Sequence, residues 1–320
     1  MQTLISFGSL VVYFQGSDSE KRGRPERSEG PALWSGREEQ ILRLWLRMTT
    51  PAFHNSATVH QLHLSPDIMP LRSVLLPLVL VAGFLLEPQP ITVWIAGDST
   101  AAEKLATKRP ETGWGEMLGQ YFRPGEVRIA NRAMNGRSTK SFIAEGRWQA
   151  IVDSMHAGDF VIIQFGHNDE SKDKGDRYTP PDDFKRNLAR MVDDVRAKHG
   201  TPVLMTPVRR RKFDSAGRLE DTHGEYPDLT RSVAAARKVA LVDMHACSAE
   251  VLSSYGADSS AKLFLQVEKG ENPNYPDGVH DNTHFRPLGA ELMARCAVDG
   301  LKALNLELTK SLKSASRAGA

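Results

Sequence analysis

From Ile91 onward, apolar runs and longer mixed segments take turns along the chain. ITVWIA (91–96), closed off by Pro90 and Gly97, is a short β-branched run with the length and flanks of a buried strand. GWGEMLGQYF (113–122) predicts a helix, VRIAN (127–131) a second strand and GRWQAIVDSMHA (146–157) another helix; DFVIIQFG (159–166) is the clearest strand of all. PDDFKRNLARMVDDVRAKHG (181–200) opens on Pro and acidic residues and closes at Gly, the polarity expected of helix ends. TPVLMTPV (201–208) and VALVDM (239–244) read as strands four and five, and PLGAELMARCAVDGLKAL (287–304) as a closing helix. Strands separated by helical segments imply right-handed crossovers and a parallel sheet. The expectation is a single α/β domain, a three-layer α/β/α sandwich with a five-stranded parallel sheet, over residues 90–306. A polar tail, 307–320, follows it.

The earlier residues have a different character. Residues 1–68 show no sustained amphipathic period, and GSDSEKRGRPERSEGPALWSGREEQ (16–40) is too polar to bury the surface that ordering requires. They are expected to be disordered and foreign to the domain. Residues 69–89 have the layout of a secretory signal peptide: Met69, a positive Arg72, an apolar run from Val74 to Leu86 and a Pro-rich exit. The run is too short for an ordinary transmembrane helix. A natural start at Met69 and a secreted or periplasmic protein are expected, with an uncleaved membrane anchor as the alternative.

Composition narrows the function. Of 320 residues, 40% are hydrophobic and 25% charged, as in ordinary globular proteins. The net charge of +2 gives no electrostatic case for nucleic acid. The two cysteines, Cys247 and Cys296, are too few for a disulfide framework or a thiolate metal site. Two buried free thiols are favoured over the one bridge that export would permit.

In an open parallel sheet the site lies beyond the carboxyl ends of the strands. Four blocks stand there or before the last helix: GDST with Ser99, NRAMNGRSTKSF with Gly136, GHND with Asn168, and VHDNTHFRPLG with Asp281 and His284. A serine hydroxyl needs an adjacent base, and His284 is the best-matched side chain. Asp281, three residues earlier and within one turn, can fix the imidazole tautomer. The amides of Ser99 and Gly136 and the side-chain amide of Asn168 supply three donors for an oxyanion. A helix beginning at Ser99 would add its dipole.

These blocks resemble the SGNH (GDSL-type) hydrolases, in that family's order. NGRSTKSF, QFGHND, DTHGEYP and DNTHF are more narrowly similar to rhamnogalacturonan acetylesterases. The resemblance covers Ile91 to Ala303. It implies a flavodoxin-like sandwich, a triad of Ser99, Asp281 and His284, an oxyanion hole of Ser99, Gly136 and Asn168, and neither metal nor cofactor. The partner it implies is an acetylated polysaccharide or oligosaccharide. A broad acyl-esterase or lipase of the same fold is the runner-up. A non-catalytic carbohydrate-binding protein is the reading from another class.

Secondary positions carry weaker expectations. RRRK (Arg209 to Lys212) follows strand four; as a charge run it reads first as a solvated face, and alternatively, with Arg137 and Lys140, as a basic rim suited to galacturonate carboxylates, Arg210 and Arg211 foremost. His167 is expected to support its loop or line the cleft, as is His223, and Asp169 to hydrogen-bond nearby backbone.

Overall fold

A computed structural model describes residues 90–314. Five parallel strands form the central sheet in the order β2-β1-β3-β4-β5: β1 Ile91–Gly97, β2 Val127–Asn131, β3 Phe160–Gln164, β4 Thr201–Met205 and β5 Ala240–Val242. This is the doubly wound flavodoxin-like order. The chain turns back across β1 to start β3, so the switch in winding direction falls between those two strands. Ser99 and Asn168 follow them.

The period of two along β1 explains the layers. Val93 and Ile95 enter a core shared with α1 (Trp114–Met117), α6 (Met244–Ser259) and α7 (Pro287–Ala303). Trp94 and Ala96 enter the opposite core, with α2 (Thr139–Ala144), α3 (Arg147–Ser154), α4 (Pro181–Ala197) and α5 (Tyr226–Arg237). Alternate residues of one strand thus bury against helices on both faces.

Several expectations need correction. GWGEMLGQYF is a single α-helical turn followed by a 3-10 turn, Leu118–Tyr121. No helix begins at Ser99; a turn occupies residues 99–102, so the helix-dipole argument lapses there. α2, α5 and α6 had not been foreseen. Asp281 and His284 do not share a helical turn: both lie on β7 (Val279–Phe285), which pairs antiparallel with β6 (Phe264–Val267) in a separate two-stranded sheet. The polar tail is part of the domain at its start, because Leu308 and Leu312 are buried and Phe122 bridges to Leu312. Cys247 and Cys296 are joined in a disulfide that ties α6 to α7, in place of two free thiols. The expected leader and foreign segment, 1–89, lie outside the described residues. Among those described, no helix is long and apolar enough to cross a membrane.

Candidate active site

Ser99 opens the turn that follows β1, two residues past the strand's end at Gly97. The buried Asp98 makes that turn rigid: its Oδ1 accepts from the Thr100 amide at 2.9 Å and the Thr100 hydroxyl at 2.8 Å. A Cβ at Gly97 would stand 3.0 Å from the Gln164 carbonyl oxygen, closer than ordinary contact, so a larger residue there would press on β3. Lys104, absent from the sequence reading, fixes the far side. Its ammonium donates to the Ser99 carbonyl (2.6 Å) and to Asn135 Oδ1 (2.8 Å), and pairs with Glu111 at 2.8 Å. One buried cation thus ties the Ser99 turn to the Gly136 loop.

The separate hairpin delivers the rest. His284 Nε2 lies 2.7 Å from Ser99 Oγ, and His284 Nδ1 lies 2.7 Å from Asp281 Oδ2. Asp281 Oδ1 accepts from the amides of Thr283 (2.6 Å) and His284 (3.0 Å), an Asx turn that lets residues three apart on a strand face one another. Burial pushes the Asp281 carboxyl up, but the His284 imidazole and these amides outweigh it and hold it at about 2.

Ser99, Gly136, Asn168, Asp281 and His284 line one cavity of about 600 Å³. Gly136 has φ 75°, the left-handed region that glycine enters freely. Among the described residues nothing accepts from the amides of Ser99 or Gly136. Asn168 Nδ2 donates to the Arg137 carbonyl at 3.0 Å, which orients the amide and leaves its second hydrogen available. Asp169 behaves as expected: its Oδ1 accepts from the Thr139 amide and hydroxyl at 2.9 and 2.6 Å, and burial pushes it up to about 7.

The expected basic rim is mostly spent on the protein itself. Arg211 does not line the cavity. It donates to Ser260 Oγ, Asn282 Oδ1 and the Ala257 carbonyl, and so braces the hairpin beside Asp281. Arg209 pairs with Asp221 and Lys212 with Glu220. Arg137 is held by Glu145 and by the Asn135 carbonyl, outside the cavity lining. Arg210 does line the cavity, but Glu170 and the His167 carbonyl already engage it. His167 lines the cavity; His223 sits behind it, buried, with its Nε2 3.3 Å from His167 Nδ1.

The cavity's remaining cations are Lys108, Lys174 and Arg177, which sequence reasoning passed over. Arg177 has one loose ion pair, 3.7 Å to Asp176; Lys108 and Lys174 have none among the described residues. The SKDKGDRY stretch (171–178) carries both signs so densely that it reads as a solvated loop; only its place beside GHND hinted at more.

Asp221, His223 and His245 form a cluster with metal-ligand atoms within 4.8 Å of one another. Asp221 is already engaged by Arg209, the His223 amide and His245, so the group is satisfied without an ion.

The GDSL-like Lipase/Acylhydrolase family matches residues 95–292. A Bacillus subtilis protein named rhamnogalacturonan acetylesterase RhgT is 42% identical over 226 residues, 71% of this chain and 96% of that protein. A rhamnogalacturonan acetylesterase of Emericella nidulans is 29% identical over 69% of this chain and 90% of its own length. The crystal structure of protein YXIM from Bacillus subtilis superposes with a TM-score of 0.59 at 25% identity, covering 68% of this chain and 58% of that one. With its fold, its ordered blocks and its close relatives in agreement, the chain belongs to the GDSL-like lipase/acylhydrolase family, the SGNH hydrolases, and is a carboxylic ester hydrolase.

Proposed function

We propose that the protein is a serine esterase that removes acetyl groups from rhamnogalacturonan, through an acetyl-enzyme on Ser99. The observation that carries this is the unbroken file Ser99–His284–Asp281, with 2.7 Å at each link, opening into a cavity also lined by Lys108, Lys174 and Arg177. His284 Nε2 takes the Ser99 hydroxyl proton as Oγ attacks the ester carbonyl carbon. The carbonyl π pair moves onto oxygen, where the amides of Ser99 and Gly136 and the Asn168 side chain stabilise it. The intermediate collapses, the sugar oxygen leaves with the proton from His284, and Ser99 keeps the acetyl group. Water then repeats the sequence: His284 takes its proton, acetate departs and Ser99 recovers its hydrogen. Asp281, ionised through this range, holds the imidazole and its developing positive charge.

The pectic substrate is supported by the names of the relatives and by Lys108, Lys174 and Arg177, which suit galacturonate carboxylates better than the run chosen from sequence. The Cys247–Cys296 bridge supports a working place outside the reducing cytosol. The test is acetate release from acetylated rhamnogalacturonan. Ser99→Ala should abolish it, and Lys174→Gln with Arg177→Gln should raise KM on the polymer more than on a small neutral acetyl ester. Retained turnover by Ser99→Ala refutes the mechanism; equal losses on both substrates refute the carboxylate role.

A further inference from the structure

A second cavity, of about 550 Å³, adjoins the catalytic one, and the two share Ser171 and Arg210 as walls. The loop after β3 serves both. It carries three buried polar atoms with no partner among the described residues, His167 Nε2, Asp169 Oδ2 and Glu170 Oε2. His167, 5% exposed, lines the catalytic cavity, and Glu170 lines the second. Their other polar atoms are committed: His167 Nδ1 to His223 Nε2, and Glu170 Oε1 to the Arg210 guanidinium. Buried polar groups in folded proteins are nearly always paired. Asp169 lines neither cavity, but His167 and Glu170 are walls of the two joined cavities, one of each, and that placement points to a ligand that spans both.

The cavities also differ in charge. The catalytic one sets Lys108, Lys174, Arg177 and Arg210 against Glu111 and Asp281. The second sets Glu170, Asp173 and Glu225 against Lys172 and Arg210. An acidic ligand group is favoured in the first and disfavoured in the second.

We propose that the second cavity is a sugar subsite continuing the catalytic cleft. It takes a neutral, hydroxyl-bearing unit of the chain whose acetylated neighbour lies at Ser99, with His167 Nε2 and Glu170 Oε2 as hydrogen-bonding positions for the two units. This rests on the polysaccharide reading above. A sugar hydroxyl both donates and accepts, so it satisfies a carboxylate oxygen and either tautomer of the imidazole. Arg210, held by Glu170, forms the partition between the two units.

The test is the dependence of kcat/KM on chain length, from a single acetylated sugar to acetylated oligosaccharides of increasing length. For the wild type, kcat/KM should rise about tenfold once a neutral second unit is present, the upper scale of one hydrogen bond. Glu170→Gln should remove most of that rise. A second variant, Asp173→Lys with Glu225→Lys, should shift preference at the second unit toward a uronate. A flat wild-type profile, or a rise that neither variant alters, overturns the subsite. Failure to hydrolyse any sugar acetate overturns the polysaccharide reading instead, so the two failures are told apart.

Discussion

Opening the Cys247–Cys296 bridge should cost the domain a large part of its stability while sparing its chemistry. The cysteines are 49 residues apart in sequence, and the bridge fastens α6 to α7, the helix that directly follows the β6–β7 hairpin. Chain-entropy arithmetic for a loop of that length gives about 4 kcal/mol of stabilisation at 25 °C, by restricting the unfolded chain. For a domain of this size, that should lower Tm by roughly 8–16 °C. The assay is guanidinium unfolding followed by tryptophan fluorescence, with and without reductant, alongside the Cys247→Ala, Cys296→Ala double variant. Reduced protein and double variant should share a lowered midpoint. At temperatures well below melting both should keep near-native kcat, because neither cysteine lines the cavity. A midpoint indifferent to reductant, together with two titratable thiols in the native protein, would refute the bridge and restore the reading of two free cysteines.

Asn168→Ala removes one of three proposed oxyanion donors and should lower kcat about a hundredfold with little change in KM; a defect confined to KM would assign Asn168 to ground-state binding. His223 supplies a pH test. Burial, reinforced by Arg210, holds its pKa well below 6.5, so the unfolded chain binds a proton on acidification that the native state refuses, and stability falls as pH drops below the unfolded value. Asp169 and Glu170, pushed up to about 7 by burial, act in the opposite sense, so the comparison is made against His223→Asn, which shares them. The wild type's unfolding free energy, minus the variant's, should fall by about 1.4 kcal/mol per pH unit below 6.5, read from denaturant midpoints at pH 7, 6 and 5. Parallel curves would show that His223 titrates alike folded and unfolded.

What the sequence disclosed was whatever local pattern controls. The five strands of the central sheet were legible because most are short apolar runs closed by turn residues, and the candidate triad because its blocks stand after strands or before the last helix; the half-polar β7, which carries Asp281 and His284, gave no such run. α6 escaped notice because its Ala-, Ser- and Gly-rich stretch has no sharp apolar stripe and bends at Gly256, φ 73°. The basic run misled for another reason. A string of arginines shows its charge but not its partners, and Glu170, Asn282 and Ala257 reach Arg210 and Arg211 only through the fold. Lys104 looked like any exposed lysine, yet three groups from three loops surround it.

The proposed nucleophile and base belong to different sheets, 185 positions apart, and the hairpin bearing the base is nearly the last structure the chain contributes. Until β7 docks, Ser99 has no neighbour able to take its proton. A chain clipped before Val279 would keep all five strands of the central sheet in its sequence but lose Asp281, His284 and α7, the helix that covers one face of that sheet. Under the proposed mechanism hydrolytic competence requires that C-terminal segment to be seated, so acetate release would double as a signal that the domain has closed.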